Sequence, residues 1–276
     1  MNETSQDTGT KRRPQDEREM PFLDHLEELR KRIFKALLAI VFFALLSWIY
    51  IDEIFEITVK PYKDAVAVAL ADNPKLTMTP RLVFTNPTGG FMIYLKLAAT
   101  VGLLFSLPFI FYQIWKFISP GLLHNERRVA PLIAFFTTLC FVAGGSFCYF
   151  VVLKYGLGFL LSFQGPVLEG FIDIEPYFEL ATTLILVFGL VFEMPVIAYF
   201  LTRIGILTPE FLRQKRRYGI VGIFVIAAVV TPSVDAFTQI LLAVPLLVLY
   251  EISIWVSQIA LPEKMKKSVG EVVTES

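Results

Sequence analysis

Long apolar runs alternate with short segments that hold nearly all of the ionisable residues, and no soluble fold accommodates that alternation. The first run, Ile33 to Ile51, has roughly 19 residues, about 28 Å as a helix, enough to cross a ~30 Å hydrocarbon core. Further runs cover about Phe91–Trp115, Val129–Leu153 and Tyr177–Leu201. Of the 276 residues 55% are hydrophobic and 26 are Phe, whereas apolar residues plus Gly make up roughly 45–50% of a soluble domain. The chain is therefore read as an all-α integral membrane protein. Its 25 basic and 25 acidic residues cancel, but they are segregated into tails and loops, so charge reports topology rather than the sign of a ligand.

Met1–Glu19 is polar, with Lys11-Arg12-Arg13 and no apolar core following directly, and reads as a flexible cytoplasmic tail (residues 1–19). A six-span domain over 20–260 and a C-terminal cytoplasmic tail over 261–276 complete the expected division. Met20-Pro21 opens a short amphipathic helix with Phe22, Leu26, Leu29 and Ile33 on one face and Asp24, Glu27, Glu28 and Lys31 on the other. The first run is too long for a signal-peptide core and lacks a small-residue cleavage site, so it stays as a span. Asp52–Gly90 is punctuated by Pro61, Pro74, Pro80 and Pro87 and reads as an ordered cap outside the bilayer, with an alternating or helical patch at 65–71.

The second span carries Lys96 near its outer end, where it can snorkel, and Pro108, which should kink it. Gly144-Gly145 in the third offers a close helix contact. The outer loop resumes at Lys154. The fourth span holds Glu193 beside Pro195, and a basic loop, Arg203–Arg217, follows. Tyr218–Val230 gives only about 13 residues, near 20 Å of helix, before Thr231–Asp235; a second run ends at Tyr250. Both look short, as truncated spans joined by a tight outer turn or as a re-entrant hairpin. The bases at the N-terminus, at Arg127-Arg128, in 203–217 and at Lys264, Lys266 and Lys267 put both termini in the cytoplasm with six spans.

Two polar stretches converge on one membrane face. Lys116–Arg128 (KFISPGLLHNERR) carries the lone acid Glu126 among bases, and Phe22–Arg32 (FLDHLEELRKR) carries Glu27 and Glu28. Carboxylates at a membrane surface suit guanidinium ligands, since each planar fork can be held bidentately and dehydrates more readily than an ammonium. The bland alternative is that Glu28 pairs with Arg32 at i, i+4 and Glu126 balances Arg127 and Arg128.

Cys140 and Cys148 lie about 12 Å apart along one helix, beyond disulfide reach, and read as buried thiols. His25 and His124 stand in no zinc-type spacing, so no metal is expected. Nucleotide, zinc-protease and serine-hydrolase motifs are absent from the sequence, so no enzyme and no cofactor is expected, nor any nucleic-acid partner.

Four motifs in register carry a resemblance: HLEELRKR (His25–Arg32), FISPGLLHNERR (Phe117–Arg128), FEMPV (Phe192–Val196) and TPSVDAFTQ (Thr231–Gln239). From about Phe22 to Ile259 the chain resembles the TatC family, the multi-spanning subunit of the twin-arginine protein translocase. The resemblance implies a receptor for folded preproteins whose signals carry paired arginines, with transport driven by the proton-motive force. It assigns arginine recognition to Glu28 and Glu126 with Phe117 and Pro120. Functional weight also falls on Pro108, Pro61, Asp235 and Glu193. Implied partners are single-span TatA-like and TatB-like subunits, membrane lipid and further copies of the chain, in a bacterial inner membrane. The long N-terminal tail departs from the pattern.

Glu193 also has a local reading: it could bond a hydroxyl or a backbone group freed by Pro195, instead of meeting a partner. A secondary transporter of small solutes, ion-coupled, is the rival function. No inverted repeat or matching pair of broken segments supports it.

Overall fold

The computed structural model describes residues 22–72, 82–84, 88–118, 130–162, 172–230 and 235–261. Helix α1 (Phe22–Ile49) contains neither Gly nor Pro. The amphipathic segment and the first span are consequently one rod of 28 residues, about 42 Å long. It lies against α3 (Gly89–Ile118). Gly102 makes that approach possible, because a Cβ there would sit 2.5 Å from the backbone N and Cα of Ala44. Much of α1, including Phe34, Leu38 and Leu45, is exposed, the surface expected of a helix that faces lipid.

Residues 51–72, most of which the sequence reading placed in a proline-punctuated cap with an alternating or helical patch at 65–71, form α2 (Ile51–Asp72), a helix that continues through Pro61. Proline has no N–H, so the Ile57 carbonyl loses its i+4 donor. The Tyr149 hydroxyl takes that carbonyl at 2.7 Å, and the Tyr177 hydroxyl takes the Thr58 carbonyl at 2.7 Å. One face of α2 (Tyr62, Ala65, Val66, Ala69) is buried in the main core, with Cys148, Val152, Leu153 and Leu161. Parallel pairing of β1 (Leu82–Val83) with β2 (Ile172–Asp173) completes the ordered cap.

The third span overruns its predicted end. Helix α4 (Ala130–Phe147) passes into a nine-residue π-helical segment, Cys148–Gly156, and then α5 (Leu157–Ser162), so Lys154 is helical rather than the start of a loop. This extension packs on α2, which frees its length from the hydrocarbon thickness. The fourth span is two helices, α6 (Ile174–Val191) and α7 (Met194–Arg203). Pro195 cannot donate to the Val191 carbonyl, and α6 ends at that residue.

After α8 (Pro209–Gln214) comes α9 (Arg216–Val230), only 15 residues. The last helix, α10 (Ala236–Ala260), has 25 residues and continues past the end of the apolar run at Tyr250. Its Glu251 pairs with Arg216 of α9 at 2.8 Å while both remain well exposed. Beyond Glu251, Ser253, Ile254, Ser257 and Ala260 are buried; Thr202 of α7 and Ser257 share a hydroxyl–hydroxyl bond of 2.6 Å. Among the described residues, five helical bodies are long and apolar enough to cross a membrane; α9 makes a further apolar body that is short.

Candidate functional site

The two polar stretches singled out in the sequence meet where α1 begins and α3 ends. The helices run antiparallel: His25 stacks on Phe117 with ring centroids 4.4 Å apart and planes 16° apart, and at the opposite end Trp48 meets Phe91 edge-on at 6.3 Å. Glu28 lies one turn along α1 from His25. Arg32 donates to Glu28 Oε1 through Nε at 3.1 Å and also through Nη2, and its Nη1 reaches Gln113 Oε1 at 3.3 Å. Glu27 pairs with Lys31 at 2.8 Å on a much more exposed surface. The i, i+4 pairing of Glu28 with Arg32 is therefore present, and a contact to α3 is added to it.

Gln113 was not singled out by sequence reasoning. Its signal is a lone amide within the apolar stretch Phe109–Trp115, and it is buried against the helix that carries Arg32. Pro120 and Glu126 lie outside the described residues. Helix α3 brings the chain as far as Ile118, beside the start of α1.

Glu193 occupies the joint between α6 and α7. It is 4% exposed, and neither carboxylate oxygen has a hydrogen-bond partner of good geometry among the described residues, although the carboxyl group faces the Phe141 backbone. The local alternative, a bond to a hydroxyl or a backbone group freed by Pro195, is thus not made there. Next to it, Pro195, Val196 and Tyr199 join Ile133, Phe136 and Cys140 in lining an apolar groove of about 350 Å³.

The remaining sequence-predicted positions are separate from both places. Asp235 is the N-cap of α10 and accepts the Thr238 N–H at 2.7 Å, a satisfied helix terminus. Pro61 lies in the cap helix α2. Pro108 is exposed on α3, and the helix is not interrupted there. Lys96 does not simply reach for solvent: it donates to Glu175 at 2.8 Å and Glu179 at 3.0 Å, tying α3 to α6.

The family model for the Sec-independent protein translocase protein (TatC) matches residues 24–245. Curated relatives of that name are 36% identical in Carboxydothermus hydrogenoformans, covering 90% of this chain and 97% of the relative, and 38% identical in Koribacter versatilis, covering 90% and 89%. The solved crystal structure of a twin arginine translocase receptor, TatC, is 35% identical, with a TM-score of 0.70 over 86% of this chain and 99% of that one. A second TatC receptor structure in the detergent DDM gives 0.71 over 84% and 99%. With its apolar helices in the same arrangement as those receptors, this multipass membrane chain belongs to the TatC family of Sec-independent protein translocase proteins.

Proposed function

We propose that this chain is the receptor and core subunit of a twin-arginine translocase, and that it takes up the paired arginines of a precursor's signal peptide at the α1/α3 end. The observation that carries this reading is the meeting of His25, Glu28 and Arg32 with Gln113 and Phe117. It sets an acid of α1 beside the last turn of the helix that leads into Pro120 and Glu126. Glu28 and Glu126 act as the two guanidinium acceptors, while Phe117 and Pro120 shape the surface between them. Export of the folded cargo then draws on the proton-motive force, because the sequence carries no nucleotide-binding motif.

Glu193 serves a different purpose in this scheme. An unpaired carboxyl group beside an apolar groove within the bilayer fits a small single-span subunit of TatA or TatB type that brings a polar side chain to the same depth. The chain would work in a bacterial inner membrane with both termini in the cytoplasm, in company with further copies of itself. An ion-coupled transporter of small solutes is not favoured, since the matched relatives are protein translocase proteins.

The test is precursor binding to membranes that contain the full chain. Glu28→Gln and Glu126→Gln keep shape but remove charge, and each should weaken binding by about 1.5–3 kcal/mol, the worth of a hydrogen bond to a charged group. Glu27→Gln should do little, because Glu27 pairs with Lys31 on the exposed side of α1 rather than at its contact with α3. Normal binding by the Glu28 and Glu126 variants together with failure of the Glu27 variant would rule out the assignment.

A further inference from the structure

The acceptor assigned to a signal arginine already holds an arginine of the chain itself. Arg32 places Nε 3.1 Å from Glu28 Oε1, with Nη2 on the same oxygen, and anchors its third nitrogen, Nη1, on Gln113 of α3 at 3.3 Å. This differs from the neighbouring Glu27–Lys31 pair in two ways. Those partners are 59% and 68% exposed, whereas Glu28 and Arg32 are 27% and 13% exposed. Lys31 also brings an ammonium, whereas Arg32 brings the same planar fork that an incoming arginine would bring.

We propose that Arg32 is a resident guanidinium that occupies Glu28 in the unloaded receptor and sets the threshold a precursor must exceed to bind. The inference rests on Glu28 being a signal acceptor, as proposed above. Its consequence follows from exchange. A ligand with a single arginine replaces one guanidinium on Glu28 with another, and the bond from Arg32 to Gln113 is placed at risk, so the swap yields little. A lysine does worse, since an ammonium cannot reproduce the fork. Only a ligand that delivers a second guanidinium, bound elsewhere on the receptor, gains enough to displace Arg32. The resident pair lowers the affinity of every basic segment by a common factor, which leaves weak ones unbound at concentrations where a strong one still binds.

The probes are a twin-arginine precursor and its twin-lysine version, binding to membranes that contain the full chain. Arg32→Gln should tighten both by roughly two- to five-fold, the range a partly exposed ion pair is worth, making the twin-lysine version measurably bound. Gln113→Leu loosens Arg32 without changing charge and should shift binding the same way by a smaller factor; it also serves if Arg32→Gln fails to fold. Lys35→Gln removes a neighbouring exposed charge outside the pair and should change little.

In a Glu28→Gln background Arg32→Gln should have no effect, because there is no acceptor left to release. Unchanged or weaker binding by both the Arg32 and Gln113 variants overturns the inference, as does equal tightening by Lys35→Gln. The two levels remain separable. If Glu28→Gln alone binds like the parent, the acceptor assignment fails; if it weakens binding while Arg32→Gln does not tighten it, only the resident arginine fails.

Discussion

A carboxyl group with no partner in a low-dielectric site is an energetic liability, and Glu193 is such a group among the described residues. Leaving a buried polar group unsatisfied costs about 1–3 kcal/mol, so its retention beside Pro195 points away from a role in stability. Glu193→Leu should therefore melt in detergent at a temperature no lower than the parent, while capture of a single-span partner is lost. A clear drop in Tm would show that the carboxyl group is satisfied internally, and the partner reading would go with it. Asp235 behaves in the opposite way, because its side chain already accepts the Thr238 N–H at the start of α10. Loss of that cap would act on helix α10 before it acted on any partner.

At the scale of elements, proline explains both the joint at Glu193 and the seating of the cap. Pro195 stands where α6 gives way to α7, whereas Pro61 lies inside an intact α2, and a tyrosine from the third span collects the carbonyl it releases. The two residues are thus coupled through one oxygen atom. Tyr149→Phe should accelerate hydrogen exchange of the α2 amides by an amount equivalent to about 1 kcal/mol, the usual net worth of such a bond. In a Pro61→Ala background, where the alanine regains a backbone N–H that can serve the Ile57 carbonyl, the same change should cost much less. Equal costs in the two backgrounds would mean that Pro61 does not act through the Ile57 carbonyl.

For the whole molecule, the distribution of Lys and Arg sets the expected sidedness. In a variant lacking Cys140 and Cys148, single cysteines placed near Arg18, Arg127, Arg216 and Lys267 should be shielded from a membrane-impermeant thiol reagent added outside. Cysteines near Asn73, Gln164 and Ser233 should react. Labelling from outside near Arg127 would invert the arrangement and move the α1/α3 end away from the cytoplasm. The short α9 is a separate matter: with 15 residues, about 22 Å of helix, it is tied to α10 by Arg216–Glu251.

Apolar runs of spanning length, separated by charged loops, are written residue by residue, so the all-helical membrane class and the number of apolar helices followed from the sequence alone. The same holds for the acids at 27, 28 and 193, because an ionisable residue among apolar ones is visible without any coordinates. What the sequence could not supply were the places where one part of the chain satisfies another. The Ile57 carbonyl that Pro61 leaves without a donor finds one in Tyr149, 92 positions later. The extension of the third span past Lys154 packs against α2, and α10 carries its one acid, Glu251, out to Arg216 of α9. Likewise the role of Arg32 emerges only when Gln113 arrives from α3. Local composition decides which segments leave water, whereas hydrogen bonds and ion pairs between distant segments tie the helices to one another, and those partners come together only in the folded chain.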